Sequence, residues 1–113
     1  MERRELEVIT RTCDLMRWAI ETMARLPRNQ RYVVGERVEQ NLTGVLEHLL
    51  RAKFARQKRE LLEEASIRLD LVRYEVRILH DAGLLREGAY GNFCEKLTEV
   101  GRQVGGWMRS ATA

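Results

Sequence analysis

Arg51, Lys53, Arg56, Lys58 and Arg59 crowd into nine positions with no acid among them. Cations at that density neutralise phosphates and release condensed counterions, so the first chemistry the sequence offers is binding to a nucleic-acid backbone. Arg28, Arg31 and Arg37 lie upstream on the same stretch, and Arg73 and Arg77 follow it. Residues four apart share a helix face, which places Arg73 and Arg77 together. Of the 20 basic residues only Lys53, Lys58 and Lys96 are lysines. A guanidinium keeps its charge and presents a planar fork of donors suited to phosphate and carboxylate. A genome rich in G and C favours Arg over Lys as well, and accounts for the same bias with no phosphate ligand. The basic run also has a plainer reading, a solvated helix C-terminus whose dipole suits cations. Rings on which bases could stack are sparse, with Phe54 in the run and Tyr32 far from it.

Other chemistries lack their residues. The chain has no glycine-rich phosphate loop, no H-E-x-x-H or E-x-x-H, and no plausible Ser–His–acid set. Di-iron bundles project Glu-x-x-His pairs inward, and neither His48 nor His80 has a Glu three residues before it. The reading is a protein that is not an enzyme and holds no metal, cofactor or small-molecule substrate. Cys13 and Cys94 are the only cysteines. Both fall on apolar stripes, and both are expected to be buried small apolar side chains rather than a disulfide. No apolar run approaches the roughly 20 residues that span a bilayer. Met1 to Glu5 is charged rather than apolar, so the expectation is a cytoplasmic chain with no membrane partner.

The elements that must position these bases follow from periodicity. With 113 residues, 44% hydrophobic, the chain is one domain with one core. Residues 26–59 hold eight basic and three acidic side chains, while the rest of the chain holds 12 basic and 14 acidic ones. That segment is therefore both the expected central helix and the expected working surface. Four amphipathic helices are predicted at about 6–25, 29–54, 59–81 and 87–109. Short loops make neighbours antiparallel, which gives an up-down-up-down four-helix bundle.

Each helix has its expected core stripe. The first reads Leu6, Ile9, Cys13, Met16, Ile20 and Met23, widened by Leu15 and Trp18, and Pro27 ends it. The second opens near Arg28 or Asn29, with Asn29 as a candidate N-cap, and carries Val34, Val38, Leu42, Val45, Leu49 and Ala52. Gly35 and Gly44 inside it suggest close approach by another helix. The third carries Leu62, Ala65, Leu69, Val72, Val76 and Leu79, with a second row of Ile67, Leu71, Tyr74 and Ile78 beside it. That second row is the expected oligomer interface. Gly83 is the expected C′ residue. The fourth carries Tyr90, Phe93, Leu97, Val100, Val104 and Trp107, followed by a frayed tail over Ser110 to Ala113.

Four segments in order resemble the accessory variability determinant (Avd) family of diversity-generating retroelements. They are Leu26-Pro27, Gly35-Glu36-Arg37, Leu61-Leu62-Glu63-Glu64-Ala65, and Gly101-Arg102 with Gly105-Gly106-Trp107. The likeness covers about residues 10–110. That family is related to the four-helix-bundle proteins encoded by intervening sequences in bacterial large-subunit ribosomal RNA. The resemblance implies a barrel-like homopentamer with a positively charged surface and no catalytic activity. It implies binding to a reverse transcriptase and to nucleic acid, in support of mutagenic cDNA synthesis from a template RNA. Two other readings stay open: the ribosomal intervening-sequence type, whose role is unclear, and a purely structural oligomerising bundle.

Overall fold

The computed structural model describes residues 3–112. It is all-helical: α1 (Arg3–Met23), a short α2 (Arg28–Gln30), a π-helical segment (Arg31–Gly35), α3 (Glu36–Phe54), α4 (Arg59–Asp81) and α5 (Glu87–Thr112). Among the described residues there is no strand. The predicted fourth helix runs on through Thr112 rather than fraying from Ser110. The reading of Met1, Glu2 and Ala113 lies outside the described residues.

The expected second helix is continuous in course but not in winding. Pro27 stands at its N-cap with extended backbone (φ −54, ψ 147), and Arg31 N–H donates to the Pro27 carbonyl at 2.9 Å. Asn29 is therefore inside the first turn rather than the cap expected of it, and no side chain caps this start. The π segment that follows turns Tyr32 and Val33 outward while Gly35 is buried. A Cβ at Gly35 would lie 3.4 Å from Met23 and Leu26, so the glycine marks where this helix passes the end of α1. Extra residues in a helical turn commonly fall at such crossings and at functional sites.

α1 and α4 both pack against α3 and α5, and so stand diagonally across the bundle. Arg4 Nη1 donates to the Gly106 carbonyl at 3.0 Å, across 102 residues of sequence. That bond fixes α1 antiparallel to α5. The molecule is 44 Å long and about 20 Å thick (22 × 19 Å). One end gathers the start of α1, the α3–α4 turn and the end of α5. The other gathers the α1–α2 and α4–α5 turns. At the second of these Gly83 takes φ 77, the left-handed conformation that glycine adopts without strain.

Three of the four core stripes fall where periodicity put them. Val38, Leu42, Val45, Leu49 and Ala52 of α3, all six expected residues of α4, and Phe93, Leu97, Val100, Val104 and Trp107 of α5 are buried. Val34 and Tyr90 are half-buried. The α1 stripe is a correction. Its core face is Val8, Thr12, Leu15, Ala19, Thr22 and Met23, whereas Leu6, Cys13 and Ile20 are exposed. Cys13 is thus not the buried side chain expected, and Cys94 is only half-buried; both are free thiols. Thr12 and Thr22 enter the core because each hydroxyl donates to the carbonyl one turn back, Val8 at 2.8 Å and Trp18 at 2.9 Å. Trp18 meets Phe93 edge to face at 5.0 Å, tying α1 to α5.

Candidate nucleic-acid interface

The ten bases singled out in the sequence do not form one site. The structure divides them between the two ends of the bundle. Arg51, Lys53, Arg56, Lys58 and Arg59 surround the α3–α4 turn. Arg28, Arg31 and Arg37 lie at the opposite end, and Arg73 and Arg77 sit on the half of α4 that points there.

At the α3–α4 turn the bases differ in how free they are. Arg56 is exposed and, among the described residues, carries no hydrogen bond or ion pair. Arg51 and Arg59 are exposed and held only by same-helix pairs, with Glu47 at 3.4 Å and Glu63 at 2.8 Å. Pairs of that kind contribute about 0.3–0.5 kcal/mol, little enough for an incoming phosphate to displace. Lys53 Nζ lies 4.9 Å from the centre of the Phe54 ring. Phe54 is 79% exposed, an apolar plate beside that ammonium. The expectation that Lys58 is exposed with its neighbours is corrected by the structure. Its half-buried ammonium donates to the carbonyls of Ala52, Ala55 and Lys53 at 2.6, 2.8 and 3.4 Å. It satisfies orphan carbonyls at the end of α3 and has little left to offer a ligand.

The same end holds four more arginines that the linear reading passed over. Arg3 and Arg4 of α1 and Arg102 and Arg109 of α5 line an open cavity of about 400 Å³, with Glu7 at its edge. Only the antiparallel pairing of α1 with α5 brings them together, which no local window of sequence shows. Gly105 and Gly106 of the closing motif lie beneath one of these arginines. Arg109 folds back across Gly105, where a Cβ would stand 3.4 Å from its Nη1. Arg102 is paired with Glu99 at 2.7 Å. That pair, with a further hydrogen bond from Gln103, holds the Glu99 carboxyl down at about 2.

The opposite end is cationic but more engaged. Arg28 and Arg31 lie 5.9 and 5.2 Å from the exposed Tyr32 ring, and Arg31 also donates to the Ala24 carbonyl at 3.4 Å. Arg77 pairs with Asp81 at 3.7 Å and Arg73 donates to Thr98 at 3.3 Å. Arg37 faces the α3–α4 seam, where it opposes the burial that raises the pKa of Glu75. The rest of that seam is a polar chain. Asn41 donates to Glu75 at 2.9 Å and accepts from Arg68 at 3.5 Å. Arg68 crosses Gly44 so closely that a Cβ there would lie 2.8 Å from its Nη1. The close approach suggested by Gly44 is thus made by a side chain of α4, not by its backbone.

Ile67, Leu71, Tyr74 and Ile78 all stand exposed on the outer face of α4. Among the described residues no helix is long and apolar enough to cross a membrane. No group of three His, Cys, Asp or Glu side chains among them is placed to hold a metal ion.

Fold and site together define a small antiparallel four-helix bundle with a strongly cationic end. The family model for bAvd-like proteins matches residues 7–111, and the chain belongs to that family. No curated protein matches it.

Proposed function

We propose that this chain is a non-catalytic accessory protein of a diversity-generating retroelement. In this reading an oligomer of the bundle presents cationic ends to RNA and docks the reverse transcriptase that copies it. Family membership over residues 7–111 supplies the context. The observation that carries the binding role is the clustering at one end of Arg51, Lys53, Arg56 and Arg59 with Arg3, Arg4, Arg102 and Arg109. Guanidinium groups from three chain segments around an open surface suit a flexible polyanion better than a small anion. The exposed α4 row supports self-assembly, and the homopentamer implied by the family resemblance belongs to this proposal. A bare structural bundle is favoured only by the pairing of Arg51 and Arg59 with acids one turn away.

The test is RNA binding by the purified protein across a salt series, with solution mass recorded on the same sample. Binding that falls steeply with salt, on a species several times 13.2 kDa, supports the proposal. Absence of binding at low salt overturns the RNA role. Co-purification with the reverse transcriptase of the same locus then tests the second half, and the lack of any complex refutes it.

A further inference from the structure

Two helices on opposite sides of the bundle each carry an apolar seam, bare on α4 and only partly covered on α1, where Ile9 and Met16 also pack against the core. On α4, Ile67, Leu71, Tyr74 and Ile78 follow one another at intervals of 4, 3 and 4 and are 46–62% exposed. On α1, Leu6 (53%) and Ile20 (49%) flank the exposed Cys13, with half-buried Ile9 and Met16 between them at intervals of 3 and 4. Alternating steps of 3 and 4 make the a/d seam of a coiled coil, which buries against one helix laid alongside. At 1.5 Å per residue the seams run about 21 Å on α1 and about 16 Å on α4, so the two are close enough in length to cover one another.

The occupant follows from where the seams stand. Because α1 and α4 are diagonal, their seams face away from each other. Pairing α4 with α4 of a second copy covers one seam and leaves the α1 seam in water. Pairing α4 of one copy with α1 of the next covers both with a single repeated contact. The residues are matched for it. The small Cys13 sits at the middle of its seam and the bulky Leu71 and Tyr74 at the middle of theirs, as a hole to a knob. Exposed Arg17, held only by a same-helix pair with Glu21 at 3.7 Å, borders the first seam and exposed Asp70 the second, opposite in sign.

Resting on the reading that the chain self-assembles, we infer that the α4 seam of one copy packs against the α1 seam of a second copy. The contact is head to tail, so each copy offers the same pair of seams to the next, and the rotation per contact decides whether the assembly closes into a ring.

Cys13 makes the pairing directly testable. In a Cys94→Ser background, Leu71→Cys or Tyr74→Cys places a second thiol at the middle of the α4 seam, facing Cys13 whichever way the helices run. Each copy then carries one thiol per seam. Mild oxidation is expected to give a ladder of dimers, trimers and longer linked chains on a non-reducing gel, and Cys13→Ser is expected to abolish it. A linked dimer that goes no further and survives Cys13→Ser means α4 pairs with α4, and overturns the inference. An oligomer by mass that links through neither position overturns the pairing while leaving self-assembly intact. A monomer by mass at micromolar concentration overturns both. RNA binding measured on the reduced samples reports separately on the cationic end.

Discussion

Lys58 Nζ stands 2.6 Å from the Ala52 carbonyl oxygen and 2.8 Å from that of Ala55, so a residue of the basic run caps the helix that precedes it. Charge count alone groups Lys58 with Arg56 and Arg59; the geometry separates them. Lys58→Met keeps the length of the side chain and removes the ammonium. It is expected to lower stability by about 1–2 kcal/mol, the scale of charge-assisted bonds to orphan carbonyls. RNA affinity is expected to change little. Thermal melting and a salt series on one preparation check both halves, and an intact melting point with a large loss of affinity would reverse the assignment.

Arg51, Lys53, Arg56 and Arg59 are the complementary set. Replacing all four with Gln is expected to leave helicity intact, since Arg51, Arg56 and Arg59 are exposed and the pairs they make are weak. RNA affinity should fall, and the slope of log affinity against log salt should flatten by roughly 0.7 for each phosphate no longer neutralised. Adding Arg4→Gln and Arg102→Gln from the far side of the same end should flatten it further. An unchanged slope would mean that nucleic acid does not meet this end.

Glu99 gives a prediction in pH. Its carboxyl is held at about 2, against an ordinary 4.5, by hydrogen bonds from Arg102 and Gln103. A carboxyl with a depressed folded pKa binds its proton more readily when the chain unfolds. Its contribution to stability is therefore complete above pH 4.5 and is lost as pH falls from there toward 2. Carbon-13 titration of the Glu99 carboxyl should show the low value, and Arg102→Gln should move it upward. Glu99→Gln should flatten the acid limb of the stability curve between those two pH values.

How far the sequence carried the fold is clearest from comparing α4 with α1. On α4 the inner row of Leu62, Ala65, Leu69, Val72, Val76 and Leu79 is continuous and apolar, so the core face and the outer row separate on paper as they do in space. On α1 the inner face is broken by Thr12 and Thr22, whose hydroxyls bond back to the helix, and by the small Ala19. The outer face of Leu6, Ile9, Cys13, Met16 and Ile20 is the more regularly apolar of the two. Periodicity picks the more apolar stripe and cannot tell a seam for the bundle from a seam for a neighbour. The cationic end was legible only in its local part. Arg51 to Arg59 lie close together in the chain, whereas Arg4 and Arg102 come together only through the pairing of α1 with α5.

The α1 correction can be put to a direct contrast between Leu15 and Ile20, two apolar residues on one helix. Leu15 is 1% exposed and lies in the core. Leu15→Ala should cost about 2–4 kcal/mol, from lost transfer energy and the cavity left behind. It should leave solution mass unchanged wherever the chain remains folded. Ile20 stands on the outer seam, so Ile20→Asp should cost the isolated bundle little, within about 0.5 kcal/mol for an ordinary surface change. It should nevertheless shift assembly toward lower mass, because a carboxylate in an apolar helix seam loses its water with no partner to replace it. Denaturation at low protein concentration and sedimentation at high concentration separate the two effects. Had Leu6, Ile9, Cys13, Met16 and Ile20 been the centre of the core face, Ile20→Asp would cost more than Leu15→Ala. The structure requires the reverse order.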